Sequence, residues 1–355
     1  MTEYRKLGRT GLNVSAIGLG TEHLEQTKGT MEAVLRIAVG AGINYIDVLY
    51  SNPEADAAFW DNIGPELKRY RDKLVLTAHW GPSDMYRDPA ECQRCLESAL
   101  KRVGNDYFEV VMLTVVDSEE TWNGWAQESL ERLSPYKEQG RVGHIGLSGH
   151  TVPIAIKAAQ SGLIDVLMYP INLLGHDDEE VRALYQACEE RNVGLVAMKP
   201  YHGGTLLFVN GKPSGITPTQ CLHYVLSQPV STTVPGARNA EELRATLHYL
   251  EATEEEKDYS SIPANIHDLL AGQCVYCHHC LPCPVDIQIG WVIWIVDHAR
   301  HGITDDLAGW YSSFQAKASE CTECGVCLER CPFDVDIVAK MQKAAEVFES
   351  AGQRA

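Results

Sequence analysis

The alternation of short apolar runs with helical stretches does most to limit what this 355-residue chain can fold into. Apolar runs cover residues 14–19, 44–48, 74–79, 109–114, 144–147, 166–169, 194–198 and 232–234. Most are continuous, brief and β-branched, as strands buried on both faces must be. Between them, helical patterns run over 30–41, 55–70, 89–103, 130–139, 151–161, 179–191, 218–227 and 240–252. Eight strands, each followed by a helix, predict an α/β fold, a (β/α)8 TIM barrel. A doubly wound sheet is the alternative. The absence of a G-x-G-x-x-G turn after the first strand weakens it. In a barrel, chemistry gathers at the C-terminal ends of the strands. That ring here reads Asp47, His79, Thr114, Ser148, Asn172, Lys199 and Gly236, each polar or glycine and each following an apolar run.

The cysteines add a second constraint. Eight of the twelve fall between Cys274 and Cys331. One run is Cys274-x2-Cys277-x2-Cys280-x2-Cys283-Pro284, the other Cys321-x2-Cys324-x2-Cys327-x3-Cys331-Pro332. The second run has the spacing of bacterial [4Fe–4S] ferredoxins, and the first is one residue shorter before its final Cys-Pro. In two-cluster ferredoxins the last cysteine of each run serves the other cluster. Cys274, Cys277, Cys280 and Cys331 would then hold one [4Fe–4S] cluster, and Cys321, Cys324, Cys327 and Cys283 the other. Zinc is the alternative for C-x2-C pairs, but two successive quartets closed by Cys-Pro favour iron–sulfur. A disulfide scaffold belongs to small secreted domains. Cys92, Cys95, Cys188 and Cys221 lie in helical patterns and read as ordinary core thiols.

An acidic stretch over 251–259, followed by Ser260, Ser261 and Pro263, reads as a linker. The expected organisation is a barrel over 1–258 and a small α-helical, ferredoxin-like iron–sulfur domain over 259–355. The formal net charge of −18 argues against a nucleic-acid partner and suits solubility or a basic redox partner. The longest apolar stretch, 291–296, is far too short to span a bilayer, and the polar start lacks the apolar core of a secretory signal. The expectation is a cytoplasmic protein that binds neither membrane nor nucleic acid.

Further motifs narrow the reading. YRKLGRTGLNVSAIGLG, GINYID, GLSGH, YPINLL, GLVAMKP and VPGARNAEEL occur in this order across nearly the whole barrel region. Together they resemble the aldo-keto reductase family, in the branch that carries a C-terminal ferredoxin-like domain. The resemblance implies NADP(H) bound without a Rossmann fold. Ser148 and Asn172 would lie near the nicotinamide, with Lys199 and Tyr201 following. Gly236, Arg238 and Glu242 would belong to the loop around phosphates and ribose, where the planar fork of arginine suits a phosphate. Two positions depart from the family pattern: Met168 stands where glutamine is common, and Thr246 where asparagine is.

The family's catalytic tetrad is Asp, Tyr, Lys and His, with the tyrosine, whose ordinary pKa is about 10, as general acid. By resemblance the aspartate is Asp47. Asn52 stands at the tyrosine position, His79 at the lysine position and Thr114 at the histidine position. Asn52 cannot donate a catalytic proton. Tyr50 lies two residues from the tyrosine position. A register shift would bring its hydroxyl into the site; otherwise it packs at the barrel mouth. His79 beside Asp47 reads either as a substitute general acid or as a structural histidine. His150, His176 and His202 lie on other loops. The leading expectation is an iron–sulfur oxidoreductase that couples NADP(H), or an external ferredoxin- or flavodoxin-type carrier, to a small organic substrate. One alternative is an NADPH-dependent carbonyl reductase with a substituted acid. Another is elimination or isomerisation through Asp47 and His79, or a ligand-binding barrel with electron-relay clusters.

Overall fold

The computed structural model describes residues 2–49, 57–81, 88–209, 211–277, 279–299 and 302–349. Tyr50 and Asn52 lie outside the described residues. The chain divides into two compact units, Met1–Gly203 with Thr217–Pro263, and Gly204–Ile216 with Ala264–Ala355. The division after the barrel thus falls at 263/264 rather than 258/259. In addition, the short segment Gly204–Ile216 groups with the C-terminal unit.

The first unit is a barrel of eight parallel strands. They are β1 (Leu19–Gly20), β2 (Tyr45–Val48), β3 (Val75–Trp80), β4 (Phe108–Leu113), β5 (Val142–Ser148), β6 (Val166–Pro170), β7 (Gly194–Met198) and β8 (Thr232–Val234). Each pairs with the next, and the parallel bridges Ile17–Thr233 and Gly20–Gly236 close the ring between β8 and β1. The helices are α1 (Lys28–Gly40), α2 (Ala57–Arg69), α3 (Pro89–Arg102), α4 (Gln127–Glu138), α5 (Val152–Ser161), α6 (Glu179–Arg191), α7 (Pro218–Leu226) and α8 (Ala240–Leu247). Their starts follow local chemistry. Thr27, Asp88, Asp178, Thr217 and Asn239 each turn a side-chain oxygen onto the free N–H groups of the first turn. Cys92, Cys95, Cys188 and Cys221 are buried helix residues.

The run 14–19 is not one strand. Asn13–Ser15 pairs antiparallel with Tyr4–Lys6, and the barrel takes Leu19–Gly20 and the single bridge at Ile17. The hairpin carries Leu7 and Val14 into one apolar cluster with Tyr45, Val75, Val110, Met112, Val166, Met168, Val196 and Val234. A cover strand and a barrel strand are equally apolar, so periodicity alone joins them. The expected helix 240–252 also ends early, at Leu247, and continues as a 3-10 turn His248–Leu250.

Because side chains alternate along a strand, residues two apart share a face. On β3 this sets Val75, Thr77 and His79 on one face. Val75 packs in the interior cluster, Thr77 donates to the Tyr45 hydroxyl at 2.8 Å, and His79 comes last. The barrel interior is apolar below and turns polar only at the level where the strands end.

The second unit is helical and coil-rich, with helices Ile289–Ala299 and Ile337–Phe348 packed together. Val292, Ile293, Ile295, Met341 and Ala344 are buried in it. Its two cysteine runs share a backbone pattern. Tyr276 and Glu323, each two residues after the first cysteine of a run, have φ of 55° and 54°. Asp286 and Asp334, each three after the last cysteine, have φ of 59° and 50°. Left-handed non-glycine residues are uncommon, so four at matching positions mark an internal repeat. Among the described residues no helix is long and apolar enough to cross a membrane.

Candidate functional site

At the C-terminal end of the barrel, β2, β3 and the loop after β4 bring Asp47, His79 and Thr114 together. His79 Nε2 lies 2.8 Å from Asp47 Oδ1, and His79 Nδ1 lies 2.9 Å from Thr114 Oγ1. All three are buried, with 6%, 7% and 4% of their surface exposed. The carboxylate can only accept, so Nε2 carries a proton. The Thr114 hydroxyl has a second acceptor, the Met112 carbonyl, at 3.3 Å. With neutral His79, the hydroxyl donates to Nδ1. With both ring nitrogens protonated, Nδ1–H donates to Thr114 and the hydroxyl turns to Met112. Both nitrogens of His79 are engaged in either state.

One loop links this triad to a second. Val115, directly after Thr114, has φ of 55°, a strained conformation for a β-branched residue. Its N–H donates to Ser148 Oγ at 3.3 Å, and the next N–H, of Val116, donates to the Ser148 carbonyl at 2.9 Å. The turn presents Asp117 to His150. Asp117 Oδ2 is 2.9 Å from His150 Nδ1, and its Oδ1 accepts the His150 backbone N–H. His150 Nε2 is in turn 2.9 Å from Lys199 Nζ. Burial opposes ionisation of Asp117, yet its bonds from His150 hold the carboxyl below its ordinary range.

Lys199 also has a left-handed backbone, φ 55°, and its carbonyl accepts from Asn172 Nδ2 at 3.2 Å. Its side chain is reached by solvent. Desolvation is the largest influence on the ammonium and lowers its pKa, against the pull of Glu22 and Asp117. Burial, and then the Lys199 charge, push the His202 imidazole down to about 4. The Asn172 side chain accepts from Leu174 N at 3.1 Å, so Ser148 and Asn172 both shape loops. Tyr201 hydrogen-bonds Thr246 across 3.0 Å between hydroxyls, and Met168 packs in the barrel core. Arg238 closes on Glu242 through Nε at 2.7 Å and through its backbone N–H at 2.8 Å. Burial works against the Glu242 charge, but these bonds keep its carboxyl below the ordinary range. Gly236 is exposed, and a methyl placed there would meet only the His23 ring at 3.7 Å, so its backbone is open to a ligand. Position in the sequence does not rank His150 above His176 or His202, and does not single out Asp117. The GLSGH motif puts a histidine two residues beyond a strand-end serine, which was the available signal.

In the second unit the cysteines line two hollows. One is bordered by Cys274, Cys277, Cys280 and Cys331. The other is bordered by Cys280, Cys283, Cys321, Cys324 and Cys327, so Cys280 borders both. Backbone N–H groups of Tyr276, His279 and Val326 bond to the sulfurs of Cys274, Cys277 and Cys324. None of the twelve cysteines is in a disulfide. Among the described residues no three His, Cys, Asp or Glu side chains converge as they would on a single metal ion. A cubane differs from a single ion in this respect, because its ligands stand around a void, one at each iron corner.

The pattern of the Aldo/keto reductase family matches residues 16–220, and the chain belongs to that family. It is 24% identical over 299 residues to the uncharacterized oxidoreductase YqkF of Bacillus subtilis, covering 71% of this chain and 93% of that protein. It is 26% identical over 234 residues to the L-glyceraldehyde 3-phosphate reductase of Escherichia coli K12, covering 59% of this chain and 65% of that enzyme. Among solved structures it is similar in fold to the aldo-keto reductase AKR11C1 of Bacillus halodurans in its holo form. The TM-score is 0.59 at 20% identity, over 76% of this chain and 97% of that one. The family and the relatives make the chain an oxidoreductase of aldo-keto reductase type.

Proposed function

We propose that this oxidoreductase binds NADP(H) at its barrel mouth and two [4Fe–4S] clusters in its C-terminal unit, and that it acts on a small organic substrate. The observation that carries the reading is the sorting of eight cysteines between two hollows. Apart from Cys280, which borders both, each hollow takes residues from one run and the last cysteine of the other, as two-cluster ferredoxins do. The N–H groups aimed at sulfur and the repeated left-handed residues around each run support it further. NADP(H) would supply electrons in pairs as hydride, and the clusters would pass them singly, to or from a ferredoxin- or flavodoxin-type carrier.

On the barrel side, exposed Gly236, Arg238, Glu242 and Tyr201 are the residues that would hold the dinucleotide. Arg238 would exchange Glu242 for a phosphate. Asp47, His79 and Thr114 form a buried hydrogen-bonded triad at the strand ends. The kinship with a glyceraldehyde phosphate reductase directs the search for substrates to small aldehydes.

The test is anaerobic purification with reconstitution, then iron, sulfide and visible absorption. The expected result is about eight irons and eight sulfides per chain. Cys331→Ser should remove the same cluster as Cys274→Ser and spare the other. Colourless, iron-free protein would sink the cluster reading. Anaerobic NADPH, with and without aldehydes, tests the coupling: bleaching of the cluster absorption is the expected outcome.

A further inference from the structure

Both ring nitrogens of His79 are bonded within the protein, and the whole Asp47–His79–Thr114 triad is buried. A side chain that meets a substrate oxygen must have a donor to spare and reach the barrel mouth. Lys199 has both. Its ammonium carries three N–H donors, and one goes to His150 Nε2 at 2.9 Å. Asp117 fixes the imidazole from the far side at 2.9 Å, which places the proton on Nδ1 and leaves Nε2 to accept from lysine. Asn172 holds the Lys199 carbonyl, and the Tyr169 hydroxyl donates to the His150 carbonyl at 3.3 Å. Asp117, His150 and Lys199 thus come from the loops after β4, β5 and β7, each tied to its neighbours. The left-handed backbones of Val115 and Lys199 concentrate strain in this one place, as functional sites do.

We propose that Lys199, positioned by His150 and Asp117, is the side chain that gives a proton to the oxygen of a small carbonyl substrate. The proposal deepens the reading above and rests on it for the hydride. As hydride from NADPH forms the new C–H bond, the carbonyl π pair moves to oxygen. That oxygen takes a proton from Lys199 Nζ, so an N–H bond breaks and an O–H bond forms. The product is an alcohol, and the neutral amine of Lys199 regains its proton from solvent, which reaches it. His150 and Asp117 are positioning residues, and the titratable groups that face Lys199 are Glu22, Asp117, His150 and His202. The carboxylates favour the ammonium and desolvation opposes it, with desolvation the larger.

The experiment is competitive reductive methylation of the intact, cluster-loaded protein at pH 7 with formaldehyde and cyanoborohydride, read lysine by lysine by mass spectrometry. Lys199 should react severalfold faster than the median lysine, because desolvation favours its neutral amine. Asp117→Asn should speed it severalfold more, because a carboxylate that favours the ammonium is gone. A purely structural Asp117 would leave that rate unmoved. Lys199 reacting at the median rate, or at a rate indifferent to Asp117→Asn, would overturn the proposal. Iron content and NADPH affinity on the same sample test the underlying reading separately. A fast Lys199 without NADPH binding would remove that reading and keep the relay as an acid–base site.

Discussion

The two units treat their polar groups in opposite ways. In the barrel the polar cluster is complete: Asp47, His79 and Thr114 satisfy one another, and the Asp47 carbonyl accepts from the Thr21 hydroxyl at 2.9 Å. In the C-terminal unit the cysteines border voids. Burial first, and neighbouring cysteines second, push the Cys274 thiol up to about 12 and the Cys280 thiol up to about 11. In the barrel this one cluster is matched by the chain itself, although Trp80 Nε1 and Ser129 Oγ elsewhere in the barrel are buried without a partner among the described residues. Under the proposed function such a thiol cluster would gain cohesion from the centre it binds, because a cationic centre favours the thiolates that burial alone disfavours.

The sharpest way to break this contrast is to strip iron from the full-length protein with a chelator. Trp310 packs 5.4 Å from Trp291 and 5.1 Å from Trp294, so near-ultraviolet dichroism reports on this unit. That signal should collapse, while the far-ultraviolet melting of the barrel persists. An intact tryptophan signal after iron loss would end the comparison.

The next effect belongs to the barrel alone. Arg71, 8% exposed, bonds both oxygens of Glu109, at 2.9 and 3.0 Å, and the carbonyls of Leu74 and Tyr107. Arg71→Ala leaves Glu109 buried without its cation and should cost about 3–5 kcal/mol by denaturant titration. Cluster absorption should not change. His79→Ala comes third. It strips Asp47 of its hydrogen-bond partner and should cost about 1–3 kcal/mol in the same titration. A neutral result would mean that Asp47 finds another partner.

The barrel was legible because its strands are buried on both faces. Continuous β-branched runs such as 166–169 and 194–198 have little else to form, and the strands appear as Val166–Pro170 and Gly194–Met198. Strand 14–19 misled because burial under a hairpin and burial in a barrel look alike in one dimension. Asp47 and His79 could be named from spacing, but their 2.8 Å contact depends on the register that pairs Asp47 with Thr77. Asp117 was not legible at all. Its role depends on the left-handed turn at Val115, and nothing in a valine announces a positive φ. The cysteine repeat was half legible: the spacing stood out, but the matching Cys-Pro-x-Asp endings at Asp286 and Asp334 went unread.

The smallest effect is a pH response confined to the barrel. His202 has its imidazole pushed from an ordinary 6.5 down to about 4, mostly by burial and partly by Lys199. Between those values the unfolded chain binds a proton that the folded chain refuses. The stability linked to His202 is therefore fully present above pH 6.5 and drains away as pH falls towards 4, by about 1–3 kcal/mol. Carboxylates titrate in the lower part of this window, so the measurement is a difference. Denaturant titrations of the native protein and of His202→Gln should diverge between pH 7 and pH 4.5, with the variant losing less. Lys199→Met should shrink the divergence without abolishing it, because burial is the larger cause and stays in place. If Lys199→Met abolished the divergence entirely, the charge and not the burial would set the His202 response. The mouth of the barrel would then be governed by one ammonium.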